Sequence, residues 1–159
     1  MIILGIDPGI AITGYGIIRK ERDALTCLDF GCIRTPAGLD MAERLKMLSA
    51  ELKSVIKKHK PQSAAIEKLF FTTNAKTVIT VAQARGVALE TLASYGVEIY
   101  EYTPLQVKQA TTSYGKAEKS QVQKMVMLLL GLKDIPKPDD AADALAIAIC
   151  CANTNICFN

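Results

Sequence analysis

The chain has 159 residues, half of them hydrophobic and 22% charged, with a formal net charge of +3 at pH 7. That length fits a single domain, residues 1–159, with its own core, and the composition excludes a disordered or low-complexity chain. No apolar run is long enough to cross a bilayer, and a charge of +3 is too small to establish a nucleic-acid partner.

Residues 2 to 6 (IILGI) are β-branched and apolar and run into Asp7, Pro8 and Gly9, a strong turn signal, so a first strand is expected there. The opening MIILGIDPG lacks a basic leader and is too short for a secretory segment, which points to a cytoplasmic protein. Residues 13 to 19 and 25 to 34 read as two further strands joined by the charged turn Lys20 to Asp23, giving an antiparallel meander. From Leu39 to Lys60 the period changes. Leu45, Leu48, Leu52, Val55 and Ile56 recur every three or four residues, which predicts an amphipathic helix stopped by Pro61. A buried strand over 63 to 71 follows, then a helix from about Asn74 to Ser94 ending at Gly96, and a fifth strand over Val97 to Tyr102. Pro104 begins a short helix, Glu118 to Leu130 forms another, and Pro136 and Pro138 lead into a terminal apolar helix. The order βββ-α-β-α-β-α-α-α predicts an α/β fold with helices packed on a five-stranded mixed sheet.

Five cysteines (27, 32, 150, 151 and 157) and one histidine, His59, form an odd set without C-x-x-C spacing. Neither zinc nor a disulfide framework is expected of them, and they read as reduced, small apolar residues. His59 belongs to the run Lys57 to Lys60, expected to be the solvated, dipole-matched end of a helix.

Carboxylates carry the chemical signal. Asp7 stands at the carboxyl end of the first strand, where open α/β sheets place functional groups, although a turn cap would account for it equally well. Glu67 lies in AAIEKLFF, whose neighbours demand burial, and an ionised carboxylate there is costly without a compensating cation; Lys68 is the local candidate. In DDAADALAIAICCA, residues 139 to 152, the pairs Asp140/Asp143 and Asp139/Asp143 each fall on one helix face. First-turn acids also suit the helix dipole, which explains Asp139 well and Asp143 poorly. Acids converging from distant segments repel unless divalent metal joins them, and hard oxygen ligands suit Mg²⁺ or Mn²⁺. Two such ions about 4 Å apart activate water and stabilise the leaving oxygen in phosphodiester hydrolysis. Between Pro104 and Pro138, six lysines face only Glu118 and Asp134, a local net of +4 that favours DNA contact over solvated helix faces.

The stretches ILGIDPG with TGYG, IEKLFFTTNAKT with AQARG, PLQVKQA, AEKSQVQKMV and DDAADALAIAI occur in that order over nearly the whole chain. Together they resemble the RuvC family, Holliday-junction resolvases with a ribonuclease H-like fold. The resemblance implies a metal-binding catalytic tetrad of Asp7, Glu67, Asp140 and Asp143, and it leaves Asp139 as an extra acid. Some members carry histidine at the position of Asp140. It implies catalytic support and DNA contact from Lys108 and Lys119, with Lys116 beside them, and base stacking by Phe70 or its neighbour Phe71, worth roughly 1–3 kcal/mol per base. Thr13 and Asn74 are further candidate DNA contacts. Gln83, Arg85 and Gly86 fall on the helix that forms the family's dimer contact, and a mid-helix glycine suits the close approach of another backbone.

The expectation is a homodimeric, Mg²⁺-dependent endonuclease with about two ions per subunit. It would resolve four-way DNA junctions by paired symmetric cuts leaving 5′-phosphate ends, in recombination and repair alongside RuvA and RuvB. Sugar-kinase and actin-like proteins share the opening motif but need two such domains. A YqgF-type RNA-processing relative would carry an arginine in the first hairpin, absent from DPGIAITGYG. A non-catalytic junction-binding module would not need the tetrad.

Overall fold

The computed structural model describes residues 1–69 and 75–154. Three antiparallel strands open it, β1 (Ile2–Asp7), β2 (Ile12–Glu21) and β3 (Ala24–Arg34), followed by helix α1 (Met41–His59). Then come β4 (Ser63–Glu67), α2 (Ala75–Ser94), β5 (Glu98–Tyr102), α3 (Pro104–Thr112), α4 (Lys119–Leu129) and α5 (Asp139–Thr154). The sheet order is β3-β2-β1-β4-β5, with β4 parallel to both of its neighbours. The expected five-stranded mixed sheet with helices on both faces is present.

Element ends follow local chemistry. Asp40 accepts from the Glu43 amide at 2.9 Å to start α1, later than Leu39. The α2 helix stops before Gly96, whose φ is +66°. Thr103 and Gln106 cap α3 reciprocally with Pro104 in its first turn. The fourth strand is shorter than 63 to 71, because its partners run out: β1 ends at Asp7 and β5 at Tyr102, and a last bond from the Lys68 amide to the Tyr102 carbonyl (2.8 Å) closes the ladder.

Strand alternation divides the core in two. Leu4, Ile6, Ile17, Ala64 and Ile66 pack under α1 and α2, whose inward residues include Leu48, Leu52, Ile56, Ala84, Ala88 and Leu92. On the opposite face Ile3, Ile18 and Ala65 pack against α5, with Val107 of α3 and Val122 and Val126 of α4 closing over it. Asp7 and Glu67 are in phase with Ile3 and Ala65, so both side chains belong to the α5 face.

On that face β1 and β2 carry glycine. Gly5 pairs with Gly16, and Asp7 with Gly14. A Cβ added at Gly5 would run into the carbonyl oxygen of Ala144 and reach within 2.7 Å of the Ala148 amide. One added at Gly14 would meet the Asp140 carbonyl, and one at Gly16 would come 2.9 Å from the Leu145 nitrogen. The backbone of α5 therefore lies directly on the sheet, and its alanines at 141, 144 and 148 are fully buried. At its far end the Lys20 ammonium donates to the Ala152 carbonyl, a cation at the negative helix terminus.

One expectation is corrected. His59 is not solvated with the rest of its run: its ring Nε2 lies 2.8 Å from Asp29 Oδ2 on β3, its side chain is 12% exposed, and Lys58 donates to the same oxygen at 2.7 Å.

Because the obstruction at Gly5 is backbone rather than a movable side chain, Gly5→Ala should cost about 2 kcal/mol or more, at the upper end of overpacking penalties. Urea unfolding should show a lower midpoint with an unchanged slope. An unchanged midpoint would mean that α5 is free to lift off the sheet.

Candidate active site

The close docking of α5 carries its first turns over the carboxyl ends of β1 and β4. A cleft of about 290 Å³ opens there, lined by Asp7, Glu67 and Asp143 with Lys108 and Lys119, over an apolar wall that includes Val107, Val122 and Ile147. Three expected acids and both expected catalytic lysines thus share one cavity.

The loop after Asp7 is braced from below. Thr13 is buried, and its hydroxyl donates to the Gly9 carbonyl at 2.6 Å. The Thr35 hydroxyl donates to the Ile10 carbonyl, the Thr35 amide to Ala11 at 3.1 Å, and Arg44 Nε to the Thr35 hydroxyl at 2.9 Å. Thr13, a candidate DNA contact in sequence, has its hydroxyl committed to the loop after Asp7. The brace by Thr35 and Arg44 had no signal in the sequence, since it joins two ordinary polar residues across a loop.

The acids repel one another. Burial first, then the negative charges of Asp143, Glu67 and Asp140, push the Asp7 carboxyl from 3.8 up to about 7, against the opposing pull of Lys119. Burial and Asp143 raise Glu67 too, while Lys108 lowers it. Asp143 is raised by burial even though Lys119 donates to its Oδ2 at 2.9 Å.

Asp140 does not line the cleft. Its backbone carbonyl lies over Gly14, and its charge adds to burial in raising Asp7 and Cys32. Cys32, read in sequence as a small apolar residue, is thereby a neighbour of the acids. Asp139, the leftover acid, is largely exposed and forms a second, longer ion pair with Lys119, 3.4 Å. Lys116 is exposed and stands outside the cleft lining. Phe70, Phe71 and Asn74 lie outside the described residues.

On α2, Gln83 and Gly86 are exposed, and a Cβ built at Gly86 would meet nothing within 4 Å. Arg85, grouped with them in sequence, turns inward: its Nε donates to the Glu67 carbonyl at 3.1 Å, and its Nη2 pairs with Glu101 on β5. Its single charge among Ala84, Val87 and Ala88 was the available signal for an inward role.

Among the described residues, no three side chains of the Asp, Glu, His and Cys types already stand as a metal shell. The donor set nevertheless suits a hard divalent cation: all-oxygen ligands, half-buried, with one carboxyl pushed up to about 7 by burial and by its acidic neighbours. Lys119 supplies part of the positive charge that such a cluster demands.

Residues 3–151 match the family described as "Crossover junction endodeoxyribonuclease RuvC". A protein of that description from Desulfitobacterium hafniense is 57% identical over 154 residues, covering 97% of this chain and 93% of its own. Another, from Alkaliphilus oremlandii, is 56% identical over 97% of this chain and 94% of its own. The structure of Thermus thermophilus RuvC in complex with Holliday junction substrate superposes with a TM-score of 0.91 at 36% identity, covering 96% of this chain and 93% of that one. Fold, cleft and sequence agree with the ribonuclease H-like arrangement expected from the motifs, and the chain belongs to the RuvC family of crossover junction endodeoxyribonucleases.

Proposed function

We propose that this protein is a metal-dependent endonuclease that resolves four-way DNA junctions in recombination and repair. The observation that carries the reading is the meeting of Asp7, Glu67 and Asp143 with Lys108 and Lys119 in one cleft, in a chain whose relatives are described as crossover junction endonucleases. An RNA-processing or purely binding role lacks any comparable support in these residues.

Asp7, Glu67, Asp140 and Asp143 would hold the metal, Mg²⁺ with Mn²⁺ able to substitute, two ions per subunit. The metal supplies an activated water and charge stabilisation at the phosphate. The protein's own part is placement. The glycine-faced strands fix Asp7 beneath α5, and the Thr13 and Thr35 bonds hold the loop beyond it. Lys108, half-exposed beside Glu67, faces the developing phosphate charge as a point cation. Lys119 is tied to Asp143 and Asp139 until substrate and metal enter. Lys116 extends the positive surface along the DNA, and Phe70 with Phe71 would meet bases at the opened junction centre, with Asn74 close by in sequence.

The exposed stripe of Ile79, Gln83 and Gly86 on α2 is the surface offered to a second copy. A two-fold dimer presents two clefts to a two-fold substrate. The reading includes symmetric paired cuts leaving 5′-phosphate ends, cooperation with RuvA and RuvB, and a cytoplasmic location; no helix among the described residues is long and apolar enough to cross a membrane.

On synthetic four-way junction with Mg²⁺, Asp7→Asn should bind but cleave at least about a hundredfold more slowly, a loss of several kcal/mol at the transition state. Cleavage that persists in this variant, or equal cleavage of junction, linear duplex and RNA, would sink the reading. Asp139→Asn should retain far more activity than Asp140→Asn or Asp143→Asn, because Lys119 keeps its shorter bond to Asp143. Equal losses in all three would place the ligands differently.

The acid cluster also sets a pH dependence. Asp7 holds its proton to about pH 7 in the folded protein and to about 3.8 unfolded. The folded state therefore binds more protons within that window, and metal-free stability falls as pH rises from about 4 to 7. Asp7→Asn should flatten this slope in metal-free thermal unfolding, and Mg²⁺ should raise the wild-type midpoint more at pH 8 than at pH 5.

A further inference from the structure

The end of β4 is paired on one side only. The parallel ladder with β1 stops at Ile6 opposite Ile66, so Glu67 has no strand partner on that side. One peptide unit decides where its side chain points: the plane joining the Glu67 carbonyl to the Lys68 amide. Both ends of that plane are held. The Lys68 amide donates to the Tyr102 carbonyl at 2.8 Å, and the Glu67 carbonyl accepts from Arg85 Nε at 3.1 Å. Arg85 is itself fixed, because its Nη2 pairs with Glu101, the residue opposite Ile66 on β5. Its side chain is 14% exposed, so the guanidinium is mostly withdrawn from water. A half-buried charge is costly unless its donors are satisfied, and here one donor is spent on the backbone of an active-site acid.

We propose that Arg85 is a positioning residue for Glu67: with Glu101 as its anchor it clamps the peptide after Glu67 and thereby sets that carboxylate's aim into the metal site. The clamp spans three elements, α2, β4 and β5. Neither partner is a cleft-lining group, so the effect passes through the backbone and not through contact with substrate. Lysine cannot replace arginine in this role, because a single ammonium lacks the two fixed donors that reach a carbonyl on one side and a carboxylate on the other. The inference rests on Glu67 being a metal ligand, as proposed above.

The test is Mn²⁺ binding to the DNA-free protein, followed by electron paramagnetic resonance, in wild type, Arg85→Met, Arg85→Lys, Glu101→Gln and Glu67→Gln, each checked for native circular dichroism. Loss of a group that orients a ligand weakens metal affinity by about 10- to 100-fold. Arg85→Met and Arg85→Lys should fall in that range, with a smaller loss in Glu101→Gln, where the Arg85 bond to the Glu67 carbonyl remains. Junction cleavage by the Arg85 variants should recover towards wild type as Mn²⁺ is raised, which a general loss of stability would not produce. Wild-type Mn²⁺ affinity in Arg85→Met, with weak affinity in Glu67→Gln, would overturn the clamp and leave Glu67 a ligand. Wild-type affinity in Glu67→Gln would instead remove Glu67 from the metal site. If the Arg85 variants do not fold, Glu101→Gln decides, and unchanged affinity there contradicts the proposal.

Discussion

The first turns of α5 rest directly on the backbones of β1 and β2, an approach that exists because Gly5, Gly14 and Gly16 present no side chain on that face. Everything at the candidate active site depends on this contact. It is made with backbone atoms, the carbonyls of Ala144 and Asp140 among them, so it cannot be adjusted by a change of rotamer. Asp143 is carried over Asp7 by a rigid body, and the apolar length of α5, buried from Ala144 to Ala152, resists its displacement. The hydrophobic core on that face acts as the mount for a polar site at its edge.

The result is an electrostatic conflict that the fold supports and does not relieve. Asp7, Glu67 and Asp143 share one cleft where water is partly excluded, with the charge of Asp140 acting from outside its lining, and burial with mutual repulsion pushes the Asp7 carboxyl up to about 7. Lys119 offsets part of the charge by bonding Asp143 and Asp139, and Lys108 acts on Glu67. An arrangement that costs stability and is kept at a cleft mouth is the usual mark of function.

Much of this was legible in the sequence, for identifiable reasons. The meander, the amphipathic α1 and the apolar α5 announced themselves through period and turn residues, and a carboxylate inside AAIEKLFF or DDAADALAIAI stands out against neighbours that demand burial. Asp7, Glu67, Asp143, Lys108 and Lys119 came together as expected. What could not be read was which individual side chains pair where two segments meet. The inward turn of Arg85 to the Glu67 carbonyl, the sharing of Lys119 between Asp139 and Asp143, and the pairing of His59 with Asp29 each join residues from separate elements. The bond from the Thr13 hydroxyl to the Gly9 carbonyl is likewise visible only in the folded loop. The early end of β4 follows from the lengths of its neighbours, which a pattern within one strand does not contain.

In the function proposed above, Asp7, Glu67, Asp140 and Asp143 would serve as oxygen ligands for divalent metal, placed by α5 and the glycine-faced strands. Anomalous diffraction at the manganese edge from crystals soaked in saturating Mn²⁺ addresses it directly. A peak bonded to Asp7 and to at least one acid of α5 is expected, at oxygen distances of about 2.0–2.4 Å. Saturating Mn²⁺ with no peak at Asp7, while the four carboxylates keep the places described above, would contradict it.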